Sequence, residues 1–187
     1  FNSNKVIAGI AGGGILMTDD KEIANRVSSL RRHGKTDFGF EDPNGINSKM
    51  YFFNSEVIKY RLSNMGLFQV NRNEIAKQYD KAFKKSPFVI QKNDRTLQHN
   101  YHKYVVRFED TETREFVQNN LKRHNIGHSV HYDRPLSDNP VFDDVDYRKD
   151  NTPNSELAAS TVLSLPIHPF LTKDEINKVI KCVTEMV

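Results

Sequence analysis

FNSNKVIAGIAGGGILMTDDKEIANRVSSLRRHG, residues 1–34, is the stretch that decides the fold. Directly after Lys5 come Gly9 and the run Gly12, Gly13 and Gly14, which permit left-handed backbone and close approach of one backbone to another. The apolar run Ile15, Leu16 and Met17, ending in Thr18, predicts a short buried strand. A helix is expected next, with Asp19 as N-cap and Glu22 in the capping-box position. Ile23, Val27 and Leu30 form its apolar face, Arg31, Arg32 and His33 suit its C-terminal dipole, and Gly34 closes it. A lone lysine near a chain start is ordinarily a solvated surface charge. Lysine, glycine-rich turn, strand and helix in this order make Lys5 a candidate for covalent chemistry, since a lysine amine can form a Schiff base.

Working outward, the bulk numbers set limits. With 187 residues, 37% apolar and 27% charged, the chain can bury one sizeable core or two small ones. No apolar run approaches a membrane span, and no charged segment followed by an apolar one reads as a signal peptide. The single Cys182 cannot form an internal disulfide, which fits a reducing cytoplasm. A net charge of +3, with Lys and Arg interleaved among Asp and Glu, argues against nucleic-acid binding. The histidines lack the spacing of a zinc site, so no metal is expected.

After Gly34, residues 35–49 (KTDFGFEDPNGINSK) read as a long loop. Met50 to Phe83 reads as helix, bent near Gly66, and helical periodicity fails between Lys84 and Asp94. A domain boundary is therefore expected there, giving domains 1–83 and 84–187. In the second, HNYHKYVVRF reads as a strand, TREFVQNNLKRHNIG as a helix closed by Gly127, and HSVHY as a second strand. SELAASTVLSLPI reads as a helix ending before Pro166, and TKDEINKVIKCVTEMV as a final helix. The last has Thr172 and Glu175 as a capping box and a stripe of Ile176, Val179, Ile180 and Val183. Strand, helix, strand, helix, helix predicts a compact α/β domain.

The opening segment resembles the DegT/StrS-type sugar aminotransferases of the pyridoxal-phosphate fold type I group, with their pattern "SFxxxK" followed by "GGGxxxTDDxxLAxxxxxLRxHG". NRNEIAKQYDKAF, YHKYVVRF, HYDRPL and LSLPIHPFLTKDEINKVI match further family strings, so the resemblance spans essentially the whole chain. It implies an α/β fold of type I: the C-terminal part of the large cofactor domain, followed by the small C-terminal domain. An opening at Phe1, directly before the lysine motif, is expected to be the interior of a longer protein.

The resemblance assigns Lys5 as the lysine that carries pyridoxal 5'-phosphate. GINSKM, residues 45–50, is similar to the family's "GxNSRL" motif, which implies that Asn47 and Lys49 bind the cofactor phosphate, Asn47 across a homodimer interface. YRLSNM, residues 60–65, looks like another version of that motif. Spacing separates them: the motif's basic residue stands about thirty positions before the Tyr that matches Tyr79, as Lys49 does, so Tyr60–Met65 reads as helix. HYDRPL makes His131 and Tyr132 the substrate-binding candidates, whereas His102 and His168 read as packed residues. The implied reaction moves an amino group from glutamate to a nucleotide-linked keto sugar in amino-sugar biosynthesis. Lysine at position 5, where related dehydratases carry histidine, favours transamination. Tyr51 to Glu56 depart from the family's "LQAA" stretch, and the competing reading is a non-catalytic dimerisation module with the same fold.

Overall fold

The computed structural model describes residues 1–92, 99–144 and 151–185. Asn93 and Asp94 of the expected boundary, and Met186 and Val187 of the expected last helix, lie outside them. Two compact units are present, Phe1–Met65 and Gly66–Val187.

In the first unit, helix α1 (Lys21–Leu30) is capped by Asp20, one residue beyond the expected Asp19. The Asp20 carboxylate accepts from the amides of Glu22 at 2.8 Å and Ile23 at 3.1 Å. Gly34, at φ +73°, turns the chain into a hairpin of β1 (Lys35–Thr36) and β2 (Gly39–Phe40) inside the segment expected to be loop throughout. Helix α2 (Phe52–Ser63) follows. The strand expected at 15–18 is absent: these residues pair with no other strand, and Ile15, Leu16 and Met17 are exposed. A strand needs a neighbour to take its amides and carbonyls, and the unit offers none there. Among its described residues the only buried apolar side chains are Ala8 and Ile58.

The second unit holds the core. Helix α3 (Met65–Phe83) begins at the division, after a break at Asn64 close to the expected bend. Its face of Ile75, Ala76, Tyr79 and Phe83 joins the core of this unit, so the helix expected to end the first domain packs with the second. A three-stranded antiparallel sheet is ordered β3 (Val89–Ile90), β4 (Tyr104–Arg107), β5 (Val162–Leu165). Tyr104 and Val106 point from β4 into the core, while Val105 and Arg107 are only half-buried. Helix α4 (Thr111–Arg123) is capped by Asp110 and buries Val117 and Leu121, four residues apart on one face. Helix α5 spans Pro153–Thr161. Helix α6 (Lys173–Thr184) has the expected capping box of Thr172 and Glu175 and buries Ile176, Val179, Cys182 and Val183.

Three local expectations are corrected. The helix predicted across SELAASTVLSLPI stops at Thr161, and VLSL becomes β5, pairing Tyr104 with Leu165 through Arg107 with Val162. Pairing satisfies the free edge of β4, a non-local gain that outweighs local helical preference. HSVHY contributes a single bridge, Ser129 with Ser164, instead of a strand. The left-handed residue after α4 is Asn125, at φ 55°, and not Gly127. It allows the Ile126 amide to return to the Leu121 carbonyl at 2.9 Å.

Helix α3 is tied to the segment after β5 by polar groups as well as by packing. Arg72 is buried, and its guanidinium donates to the carbonyls of Tyr101 at 2.8 Å and Ile167 at 2.9 Å. Tyr79, fully buried, donates to the Pro166 carbonyl at 2.9 Å and stacks on Phe83.

Candidate active site

Lys5 is exposed and sits at the tip of a small loop. Its amide donates to the Asn2 carbonyl at 3.0 Å, forming the turn, and the Gly9 amide donates to the Phe1 carbonyl at 3.0 Å, closing the stem. Among the described residues its ammonium has no ion pair or hydrogen bond, so the amine is uncommitted.

The glycines beyond the loop lie against α2. Asn54, only 6% exposed, accepts from the Ala11 amide at 3.2 Å and donates to the Gly12 carbonyl at 2.6 Å. Gly9 has no room for a side chain, because a Cβ there would meet Asn54 Oδ1 at 2.3 Å. Asn54 has no counterpart among the residues singled out from the sequence. The one signal was the departure of Tyr51 to Glu56 from the family pattern.

Asn47 and Lys49 lie on a strap held to the end of α1. The Ile46 amide donates to Leu30 at 2.8 Å, the His33 amide to Ile46 at 3.0 Å and the Ser48 amide to Arg31 at 3.0 Å. Asn47 pairs with Arg32 as a bridge within this strap. The contact is so close that a Cβ on Gly45 would lie 2.0 Å from the Gly34 nitrogen and 2.1 Å from the His33 carbonyl carbon. Both Asn47 and Lys49 are exposed, and among the described residues neither side chain is engaged by a hydrogen bond or ion pair. No hydrogen bond joins either of them to Lys5.

His131 and Tyr132 belong to the second unit. The His131 Nδ1 lies 2.9 Å from the Oγ of buried Ser164, which fixes the ring on β5. Burial, and secondarily the charge of Lys103, hold the His131 pKa below the ordinary imidazole range and favour its neutral form. Tyr132 is 74% exposed and lines a cleft of about 480 Å³ with Arg134, Leu136 and Asn139. His168, expected to be packed, is exposed instead, and its ring accepts from the Phe170 amide at 3.3 Å across a turn. Tyr60–Ser63 close α2, so the second motif-like string is helical up to its break at Asn64. Among the described residues no three His, Cys, Asp or Glu side chains gather as a metal would require. Among the described residues no helix is long and apolar enough to cross a membrane.

The uncommitted groups fit a phosphorylated aldehyde: a free amine for the aldehyde, with an amide donor and an ammonium for a dianionic phosphate. A UDP-2-acetamido-2-deoxy-3-oxo-D-glucuronate aminotransferase from Pseudomonas aeruginosa is 29% identical over 98% of this chain and 50% of its own length. The crystal structure of DesV from S. venezuelae matches with a TM-score of 0.84 at 26% identity, covering 99% of this chain and 49% of that one. NtdA from Bacillus subtilis, solved with bound cofactor PMP, shares the fold with a TM-score of 0.81 at 22% identity, over 100% of this chain and 44% of its own. The chain spans about half the length of the curated relatives it matches. Its fold is that of the fold type I aminotransferases, as the opening segment led us to expect. The family model of the DegT/DnrJ/EryC1/StrS aminotransferases matches residues 1–184, and the chain belongs to that family.

Proposed function

We propose that this chain is part of a pyridoxal-phosphate-dependent aminotransferase, homodimeric and cytoplasmic, that moves an amino group from glutamate to a nucleotide-linked keto sugar. The observation that carries the reading is the free amine of Lys5 at the tip of a closed loop, ahead of a glycine segment pinned to α2. Relatives named as transaminases of UDP- and dTDP-linked sugars support the substrate class.

When bound, pyridoxal phosphate supplies an aldehyde for covalent capture of amines and a ring that withdraws electrons from the neighbouring carbon. The chain's own residues divide the remaining work. Lys5 would hold the cofactor through Nζ, and the same nitrogen would take up and return a proton. Asn47 donates its amide, and Lys49 its charge, to the phosphate, each contributing about 1.5–3 kcal/mol. Asn47 does so across the dimer interface. His131, its ring oriented by Ser164, and Tyr132, on the rim of its cleft, would contact the sugar nucleotide.

Borohydride reduction of the full-length protein, followed by mass analysis of the Lys5 peptide, tests the reading. A phosphopyridoxyl group on Lys5, and loss of turnover in Lys5→Ala, are the expected results. An unmodified Lys5 in cofactor-saturated protein, or retained turnover in the variant, sinks it.

A further inference from the structure

We propose that Asn54 is a positioning residue for Lys5, acting through the glycine segment; the proposal rests on the assignment of Lys5 as the cofactor lysine. Asn54 is nearly inaccessible and commits both ends of its amide to backbone: Oδ1 to the Ala11 amide, Nδ2 to the Gly12 carbonyl. Its partners lie 43 and 42 residues away along the chain, so it pins together two segments that are remote in sequence. Gly12, at φ +74°, and Gly13, at φ +142°, adopt backbone that other residues rarely take, which brings the loop within reach of the side chain. Gly9 touches the Asn54 carboxamide and at the same time closes the stem of the Lys5 loop through its amide. The path from Asn54 to Lys5 is therefore short and physical: carboxamide, glycine backbone, stem hydrogen bond, lysine tip.

The carboxamide is specific to this task because it must donate and accept at once. Aspartate keeps the acceptor for Ala11 but sets a carboxylate against the Gly12 carbonyl, and alanine offers neither group. Gly9→Ala attacks the same contact from the other side, since its Cβ would overlap Oδ1. Shortening Asn54 to alanine removes the atoms that this Cβ would strike, so the two changes are predicted to couple.

Two measurements on the full-length protein test this. In the cofactor-free form, amide exchange of the 6–14 peptide should rise roughly tenfold in Asn54→Ala and in Gly9→Ala. In the loaded form, the absorbance of the Lys5-cofactor linkage should titrate at a midpoint displaced by about 0.5 pH unit or more in the same variants, because a shifted Lys5 alters its surroundings. The double variant Gly9→Ala/Asn54→Ala should be less impaired than the sum of its singles. Unchanged exchange and midpoint in Asn54→Ala, or strictly additive effects in the double variant, would overturn the proposal. Absence of any cofactor on Lys5 in the parent would overturn both this proposal and the assignment beneath it. A trapped parent with an unaffected Asn54→Ala removes the positioning role alone.

Discussion

Replacing Gly45 by alanine should release the strap that carries Asn47. Its Cβ would lie 2.0 Å from the Gly34 nitrogen and 2.6 Å from the Gly34 Cα, and these are backbone atoms that cannot swing aside. The strap can accommodate it only by lifting from α1. That movement breaks the hydrogen bonds of Ile46 to Leu30, His33 to Ile46 and Ser48 to Arg31. At about 0.5–1.5 kcal/mol each, the three together are worth about 1.5–4.5 kcal/mol. Native-state hydrogen exchange at the amides of His33, Ile46 and Ser48 should therefore accelerate by roughly ten- to two-thousandfold. If Asn47 donates to the phosphate as proposed, its displacement also forfeits about 1.5–3 kcal/mol, and cofactor affinity should fall about 10- to 150-fold. Exchange at Ile46 and Ser48 within a factor of three of the parent would refute the steric reasoning. Faster exchange with unaltered cofactor affinity would refute the role given to Asn47 while upholding the steric reasoning.

Tyr79→Phe should cost about 1–2 kcal/mol in a urea titration, because the ring contacts with Phe83 and Tyr104 survive while the Pro166 carbonyl loses its donor; a variant as stable as the parent would show that water replaces the phenol. Thr172→Ala should remove about 1 kcal/mol by opening the capping box of α6. The same box, together with Asp110 on α4, sets an acid limit. The carboxyl pKa values of Glu175 and Asp110 are lowered, first by the backbone amides of Thr172 and Thr113 respectively. Depressed folded values mean stability that is fully present above the usual carboxylate range near about 4 and is lost as pH falls through the lower folded values. A melting temperature insensitive to pH between about 5 and 2 in the parent, or a Thr172→Ala variant as stable as the parent, would contradict the capping argument.

Sequence reading succeeded where the determinant is local. The Thr172 and Glu175 box, the stripe of α6 and the bend between α2 and α3 are all written within a few residues. In the pair Asp19–Asp20 either carboxylate could cap, and the backbone chose the second. Asn125 and Gly127 both tolerate left-handed backbone, so composition could not choose between them. VLSL directly continues the helical run SELAAST, with no break in the sequence between them; only β4, over fifty residues earlier, makes it a strand. The candidate site divides in the same way. Lys5, Asn47 and Lys49 stand as candidates on motif and spacing, their roles being proposals, and the structure adds the backbone hydrogen bonds that hold the segment of Asn47. Asn54 was not legible, since a buried asparagine on a helix announces nothing until its partners on the glycine segment are seen.

The uneven distribution of apolar burial has a consequence for how such a protein is policed in a cell. Residues 1–65 bury only Ala8 and Ile58 among their apolar side chains and leave Ile15, Leu16, Met17, Phe52 and Phe53 in contact with solvent. Ordering a residue's backbone costs about 1–2 kcal/mol, and so small an apolar interior cannot repay that over such a length. The unit bearing Lys5 and Asn47 is thus the one whose order is more easily lost, in contrast to the packed core of residues 66–187. Chaperones and proteases therefore meet exposed apolar side chains on a readily opened segment attached to a well-packed remainder.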